Sequence, residues 1–520
     1  MQRSVRNIVI VGGGTAGWLT AGILASHYSD DPDTGLTISL VESPDVATIG
    51  VGEGTWPSMR TTLQKIGISE TEFMRACDVS LKQGSRFNSW VTGANDYYYH
   101  PFSMPQGYSE FNLVPFWQTV REQVSFTDAV SPQGQLADRG LAPKQISTPE
   151  YAFQVNYGYH LDAGKFAEFL RRHCTEKLGV KHISDHVQTV HTHPNGDING
   201  VHTSQHGLVT GDLFVDCTGF NGLLIDKHYE IPFNSVADTL FNDRALAVHV
   251  PYQRDNEPIA SATLSTAQSA GWIWDIGLPS RRGVGHVYSS EFTSDEAAEV
   301  ELRQYLEALV GRRQAHELTV RKIQFKPGHR ASFWHRNCVA IGLSAGFVEP
   351  LEASALVLVE YAANMLAEQL PANRDVMDIT AKRFNHKFAY RWQQIIEFLK
   401  LHYVLNQRDD AAYWQAHRHQ DSVPDSLREK LKVWRHQAPW HLDTPHIDEL
   451  FPSASYQYVL YGMGFVTYPQ SLEARNASQQ LAQANQLLHD NAKRTASLLN
   501  AMPNNRELIN KVAEFGFQKI

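Results

Sequence analysis

Asn7-Ile8-Val9-Ile10-Val11-Gly12-Gly13-Gly14-Thr15-Ala16-Gly17-Trp18 is the stretch whose reading decides the fold. Its apolar run, closed by glycines, reads as a short buried strand. An apolar helical stretch follows through Leu19, Ile23 and Leu24, and then a second strand, Leu36-Thr37-Ile38-Ser39-Leu40-Val41, which ends at Glu42. Strand, glycine turn, helix, strand and acid in that order make a βαβ unit that holds a dinucleotide. Gly12 permits the tight turn, Gly14 lets the backbone approach the phosphates, and Gly17 lets helix and strand pack closely. Thr15 and Ala16 open the helix, whose first N–H groups are free for the pyrophosphate, and Glu42 accepts from the ribose hydroxyls. The expected fold class is α/β.

Bulk properties narrow the partners. The chain has 520 residues, 42% hydrophobic and 19% charged, an ordinary globular balance with ample material for a core. A formal charge of −9 with no basic cluster argues against a nucleic-acid partner. The four cysteines, Cys77, Cys174, Cys217 and Cys338, contain no C-x-x-C pair, so neither structural zinc nor a disulfide framework is expected. The N-terminus enters the first strand without the features of a signal peptide, and no apolar run reaches membrane-spanning length. These features predict a soluble, cytoplasmic protein without a membrane partner.

Beyond the second strand, Ile49-Gly50-Val51-Gly52-Glu53-Gly54-Thr55-Trp56-Pro57 reads as an extended glycine-rich loop. Residues 94–150 look irregular, a helix is expected over 163–177 after Asp162, and short β-like runs dominate 180–345. From about 353 helical patterns take over, broken at Pro371 and Pro424. This composition shift divides the chain into an α/β cofactor and catalytic domain, 1–360, with an irregular substrate-side insertion at 94–150, and a mainly helical subdomain, 361–520. Asp212-Leu213-Phe214-Val215-Asp216-Cys217-Thr218-Gly219 resembles the late strand of FAD-dependent oxidoreductases, and Val187 lies in an earlier β-like run whose backbone meets adenine in that group. A second glycine fingerprint for a nicotinamide cofactor is missing, so the dinucleotide is read as FAD.

Four further segments carry the chemistry: Ser80-Leu81-Lys82-Gln83-Gly84; Gly271-Trp272-Ile273-Trp274-Asp275-Ile276; Gly346-Phe347-Val348-Glu349-Pro350-Leu351-Glu352-Ala353-Ser354; and His402-Tyr403 with Arg408-Asp409-Asp410 and Tyr413-Trp414. With the glycine turn and the Gly50–Glu53 loop, they resemble the flavin-dependent tryptophan halogenases from residue 7 to about 468. The resemblance implies a Rossmann-like FAD domain of the GR2, hydroxylase-like type, with mixed sheets and a helical C-terminal subdomain. One departure is Gly277, where the family pattern W-x-W-x-I-P has proline; here Pro279 comes two residues later.

Carried over residue by residue, the resemblance implies that reduced FAD and oxygen oxidise a halide to hypohalous acid, which travels through an internal tunnel to Lys82. The lysine hydrogen-bonds it or forms a haloamine. The arene then attacks the halogen, and Glu352 stabilises the cationic intermediate and takes up its proton. Gly50, Val51, Leu343 and Leu356 join the flavin contacts. The halide, chloride or bromide, lies at the helix opening Ser354-Ala355, where the family often has glycine in place of Ala355. Trp272 and Trp274 separate flavin from substrate. Each residue also has a blander reading. A lone lysine is usually solvated, a glutamate before a helix suits the dipole, and strand tryptophans fill cores. His417 and His419 are set aside as metal ligands, because no third ligand is in view.

Tyr97-Tyr98-Tyr99-His100-Pro101-Phe102 resembles the family stretch in which a histidine and a phenylalanine flank the indole, here His100 and Phe102. The stretch Asp448-Glu449-Leu450-Phe451-Pro452-Ser453-Ala454-Ser455-Tyr456 stands where tryptophan-specific members clamp the free amino acid. It is shorter, lacks the paired tyrosines, and has Phe451 in place of a tryptophan. Free tryptophan is therefore expected to be a poor substrate, indole a better one, and the natural substrate large or tethered. Without a nicotinamide site, FADH2 comes by diffusion from a separate NAD(P)H-dependent flavin reductase. The family resemblance also admits a homodimer. The competing reading is a flavin-dependent monooxygenase that hydroxylates an aromatic ring, which would need neither Lys82 nor the tryptophan pair.

Overall fold

The computed structural model describes residues 4–28, 35–45, 52–444, 446, 448–468 and 476–518. It divides into two interleaved compact units. The first comprises Met1–Val79, Leu161–Val236 and Lys326–Gln393; the second comprises Ser80–His160, Ala237–Phe325 and Gln394–Ile520. The units therefore do not follow the contiguous division at residue 360. Composition changes along the chain there, whereas compactness depends on which distant strands pair.

The first unit is built on a six-stranded sheet in the order Trp334–His335, Cys338–Ala340, Leu213–Asp216, Asn7–Val11 (β1), Thr37–Glu42 (β2), Lys181–Ser184. All pairings are parallel except that of the Trp334–His335 edge. The near-continuous apolar run of β1 suits a strand with both faces covered. Helix Thr15–His27 (α1) connects β1 to β2. On one face Val9, Val11, Val41, Phe214 and Leu224 form a core with Ile198 and Val201 of a small antiparallel sheet. Helix Ala163–Lys177 starts where Asp162 caps it by accepting from Lys165 N at 3.0 Å.

The second unit carries a seven-stranded sheet in the order Arg321–Gln324, Arg244–Pro251, Arg281–Tyr288, Gly271–Gly277, Thr263–Ala267, Gly84–Asn88, Tyr97–Pro101. Its centre packs Leu246, Val248, Ile273 and Val284 against Ala298, Leu302 and Leu306 of helix Asp295–Val310. That helix lies inside the stretch expected to be mostly β. Its signal was local: Ser294 caps it by accepting from Ala297 N, and Asp295 and Glu296 follow in the first turn. The stretch 94–150 is less irregular than expected, holding the edge strand Tyr97–Pro101 and helices Val114–Trp117, Phe126–Val130 and Gln133–Asp138. The structure after residue 353 is helical, as expected, in seven α-helices from Ser354–Glu368 to Asn505–Phe515 among the described residues. Pro371 falls between two helices and Pro424 immediately precedes Asp425–Trp434. No described helix is long and apolar enough to cross a membrane.

Candidate active site

The glycine turn in the first unit is shaped at each position for a different reason. Gly12 has φ +111°, and a Cβ there would lie 2.2 Å from the Cys217 carbonyl oxygen. A Cβ on Gly17 would lie 1.9 Å from the Gly12 carbonyl oxygen, so this glycine sets how closely α1 approaches β1. A Cβ on Gly13 would overlap the Glu42 carboxyl carbon at 2.0 Å. At Gly14 a Cβ would meet nothing within 4 Å among the described residues. Open space therefore lies beside the N-cap of α1, whose N–H groups at Thr15, Ala16 and Gly17 have no earlier helical carbonyl to use. This cradle fits a diphosphate.

Glu42 ends β2 against that turn. His182 Nε2 lies 3.0 Å from its Oε2. Burial raises the Glu42 carboxyl above the ordinary range, and the adjacent His182 opposes the rise. Gly342–Ser344, a single tight turn containing Leu343, sits against α1, since a Cβ on Gly342 would lie 2.8 Å from Ala16 Cβ. Val187 begins strand Val187–Thr192 and packs its half-buried side chain on the core. Gly50 and Val51 lie outside the described residues. The late strand ends at Asp216, whose carboxylate accepts from Thr218 N, Thr218 Oγ1, Leu224 N and Ile225 N at 2.6–2.9 Å. An acid beside Cys-Thr-Gly is a recognisable turn former, and Asp216 takes that role here.

Also in the first unit, Glu352 precedes helix Ser354–Glu368 in an unusual backbone state. Glu352 has φ +64° and Ala353 has φ +54°. Two successive non-glycine residues in the left-handed region cost on the order of 1–3 kcal/mol each and persist only where the surroundings hold them. One restraint is visible: Trp56 Nε1 donates to the Glu352 carbonyl at 2.7 Å. The Glu352 side chain is buried, as are Ser354 and Leu356, while Ala355 is exposed. Trp56 was read only as part of a glycine-rich loop, because its partner is 296 residues away.

In the second unit Lys82 is 1% exposed, so the solvated-lysine reading fails. It ends the short strand Ser80–Lys82, which pairs antiparallel with Gly158–Leu161. Three bonds hold this strand: Ser80 Oγ donates to the Gly277 carbonyl at 2.5 Å, Asn505 Nδ2 donates to the Leu81 carbonyl at 3.1 Å, and Gln83 N donates to the Ser261 carbonyl at 2.7 Å. Phe102 N donates to the Gln83 carbonyl, and the Lys82 ammonium lies 5.3 Å from the Phe102 ring centroid. Lys82 and Phe102 are thus brought together. Gly277 stays inside strand Gly271–Gly277, and the chain turns back through Leu278 N donating to the Arg281 carbonyl.

Trp272 and Trp274 are both buried, with ring centroids 6.5 Å apart. Two residues apart on a strand, they share a face. Trp274 lies opposite Gly285, where a Cβ would come within 2.1 Å of the indole. Gly285 was missed, although a glycine inside a strand often marks a close approach. Asp275, the residue after Trp274, is buried and accepts from Arg282 Nε at 2.9 Å and from Tyr305 at 2.9 Å.

His100 and Phe451 are both buried in an aromatic cluster with Phe398. Phe451 stacks on Phe398 at 3.7 Å, and His100 lies 5.5 Å from Phe398 and 6.4 Å from Phe451. A cleft of about 650 Å³ is lined by residues on either side of Phe451 in the chain, Glu449, Pro452 and Ser453, together with Met104, Tyr108 and His441 among others. The block from His402 to Trp414 is buried aromatic packing, with His402 stacked on Phe87 at 4.6 Å and Arg408 over Trp414. His417 lies between Phe241 and Tyr403 and meets the buried Lys400 ammonium through Nδ1 at 2.9 Å. Burial and that ammonium hold it well below the ordinary histidine range.

Comparison with known proteins points the same way as the site. The tryptophan halogenase family profile matches residues 7–479. The solved structure of a tryptophan halogenase from Shewanella frigidimarina NCIMB 400 is 53% identical, with 100% of both chains covered and a TM-score of 0.96. The solved structure of a flavin-dependent halogenase from Brevundimonas sp. BAL3 is 32% identical, covers 98% of this chain and 99% of that one, and gives a TM-score of 0.85. The 7-chloro-L-tryptophan 6-halogenase of Kutzneria sp. (strain 744) is 36% identical over 500 residues, 92% of this chain and 94% of the relative.

Proposed function

The chain belongs to the tryptophan halogenase family, and we propose that it is an FADH2- and oxygen-dependent halogenase of an electron-rich, indole-type aromatic. The observation that carries this reading is the burial of Lys82, with its ammonium close to the Phe102 ring. An ammonium withdrawn from water on a strand tied to the tryptophan strand is a poor structural choice and a good polarising donor.

The turn from Gly12 to Gly17 would hold the FAD diphosphate and Glu42 the ribose, with the Val187 strand, Leu343, Leu356 and the loop residues Gly50 and Val51 completing the contacts. Bound reduced flavin supplies, with oxygen, the oxidising equivalents that turn halide into hypohalous acid. N–H groups at Ser354 and Ala355 hold the halide. Lys82 receives the hypohalous acid and directs its halogen to the ring. Glu352 stabilises the cationic arene and accepts its proton. Trp272 and Trp274 keep the arene apart from the flavin, and His100, Phe102 and Phe451 supply flat neighbours for it. FADH2 is supplied by a separate NAD(P)H-dependent reductase. The stretch 448–456 lacks the paired tyrosines of tryptophan-specific members and has Phe451 where they have tryptophan, which favours indole over free tryptophan as the substrate.

The test supplies FADH2 from a flavin reductase, with oxygen, bromide and indole, and reads products by mass spectrometry. Bromoindole is expected from the wild type and not from Lys82→Ala. Hydroxyindole without bromoindole would replace this reading with the monooxygenase. Turnover of free tryptophan equal to that of indole would overturn the substrate assignment.

A further inference from the structure

Eight methionines are spread along the chain, and the fold treats one of them differently. Met59, Met74, Met365, Met377, Met463 and Met502 are buried, whereas Met104 is 50% exposed. It is the one exposed methionine among the described residues, and all four cysteine thiols are buried. Thiols and thioethers are the side chains most readily oxidised, and exposure decides which of them an oxidant reaches.

The place of Met104 matters as much as its exposure. Phe102 N donates to the Gln83 carbonyl at 3.1 Å, and the Lys82 ammonium lies 5.3 Å from the Phe102 ring centroid. Two residues of chain span at most about 7 Å, so the Met104 backbone lies that close to the Phe102 backbone. The segment is pinned on both sides. Ser103 N donates to Gln133 Oε1 at 2.7 Å, the Tyr458 hydroxyl donates to the Ser103 carbonyl at 3.0 Å, and Gln106 N donates to the Val130 carbonyl at 2.8 Å. Met104 therefore holds a fixed place in the wall of the 650 Å³ cleft, with Tyr108, Glu449 and Ser453. The chain segments that carry Phe102 and Phe451 both continue into that wall. A thioether there is a good packing partner for an aromatic ring.

We propose that Met104 is a self-oxidation site: hypohalous acid that finds no arene converts its thioether to the sulfoxide, which lowers the affinity of the cleft for the aromatic substrate. The inference rests on the reading of the chain as a halogenase that brings hypohalous acid to Lys82. The sulfur lone pair attacks the halogen, a sulfur–halogen bond forms, and the halogen–oxygen bond breaks to leave hydroxide. Water then attacks the sulfur and expels halide, and the hydroxide takes one of the two protons released. Sulfur loses two electrons and the halogen gains them. The products are the sulfoxide, halide and one proton. The added oxygen makes an apolar side chain polar, and a ring face laid against it covers a dipole that water had solvated. The enzyme thus loses substrate affinity when it turns over without substrate, and sulfoxide reduction restores it.

The experiment runs the purified protein with FADH2 from a flavin reductase, oxygen, bromide and catalase, leaving indole out. Peptide mass spectrometry then locates added oxygen, and KM and kcat are measured with fresh indole. Oxygen is expected at Met104 ahead of the six buried methionines. KM for indole should rise about tenfold, the scale of one polar atom covered without a partner, with kcat little changed. The two methionine sulfoxide reductases, one for each epimer, should return KM to its starting value. Met104→Leu should keep its own untreated KM through the same treatment, whereas Met104→Gln, polar at similar length, should show the raised KM untreated. Without bromide Met104 should remain a thioether, because catalase removes the peroxide that uncoupled flavin releases. Equal oxidation without bromide overturns the inference, as does oxygen spread evenly over the methionines, a Met104 sulfoxide with unchanged KM, or the same rise of KM in Met104→Leu. Absence of bromoindole from the untreated wild type would sink the halogenase reading itself, whereas bromoindole formed by a protein whose Met104 stays unoxidised would sink this inference alone.

Discussion

Gly14→Ala separates cofactor grip from fold more cleanly than any other change in the turn. A Cβ at Gly14 meets nothing within 4 Å among the described residues, and the residue has φ −73° and ψ −176°, which alanine adopts freely. Two small terms oppose each other in the protein without cofactor. Alanine restricts the unfolded chain, worth about 0.4–1 kcal/mol, and is a poorer N-cap than glycine by a similar amount. Stability should therefore be unchanged within about 1 kcal/mol, a shift of roughly 2–4 °C or less in Tm. On the proposed reading, the same methyl would stand where the FAD phosphates approach the backbone. Losing one or two charge-assisted hydrogen bonds costs about 3 kcal/mol, which is more than a hundredfold in Kd. Gly17→Ala should behave differently, because its Cβ would lie 1.9 Å from a backbone carbonyl oxygen, so Tm and FAD affinity fall together. Gly13→Ala is intermediate: its methyl can be relieved by moving the Glu42 side chain, at the expense of the ribose contact. Melting curves and FAD titration by flavin fluorescence distinguish the three. Wild-type affinity in Gly14→Ala, or a Tm loss in Gly14→Ala as large as that in Gly17→Ala, would refute the assignment of this space to the diphosphate.

Three further outcomes follow from the packing. Arg282→Met leaves the buried Asp275 carboxylate without its guanidinium; burial and Asp275 act in opposite directions on Arg282, and the carboxylate wins, raising it above its ordinary range. Chemical denaturation should report a loss of about 3–5 kcal/mol, whereas a loss below about 1 kcal/mol would mean the pair is not needed to hold the tryptophan strand. Burial pushes the Glu360 carboxyl from the ordinary 4.5 up to about 7, despite hydroxyl donation from Ser58 and Thr62. The folded state then binds more protons than the unfolded one between those values, so stability falls as pH rises through the window. Glu360→Gln should remove that slope, gaining up to about 3 kcal/mol at about pH 8 and nothing at about pH 4, read from denaturation midpoints; a gain independent of pH would contradict it. Gly285→Ala places a Cβ 2.1 Å from the Trp274 ring and 2.5 Å from the Leu246 carbonyl oxygen, so the ring must turn and the strands must shift. Bromination of indole should fall about tenfold, the scale of one displaced positioning group, with unchanged FAD affinity and altered tryptophan fluorescence; unaltered turnover would show that Trp274 needs no fixed place.

Local order was legible wherever the signal was local. The turn from Gly12 to Gly17, the strand ending at Glu42, and the helix after Asp162 all lie where residue types along a few positions demand them. Glycine has a specific cost and a specific use, so three glycines at fixed spacing beside an apolar run have few other readings. Helix Asp295–Val310 was equally local in its cap and first-turn acids, and was lost only because β-like runs surround it. The boundary at residue 360 failed for a different reason. Composition is a property of the chain, whereas the two compact units exchange segments repeatedly along it.

The sequence by itself determined the α/β class, the cofactor cradle and, through its resemblance, the family and the residues worth naming. Only the tertiary structure decided what those residues experience. The sequence cannot say that Lys82 is withdrawn from water, because burial is supplied by strands far away in the chain. Nor can it say that Glu352 holds a left-handed backbone under Trp56, or that Phe451 stacks on Phe398. The exposure of Met104, alone among the described methionines, belongs to the same class. Protonation, strain and accessibility are set by desolvation and by neighbours that the fold brings together, and the order of residues does not contain them until the strands have paired.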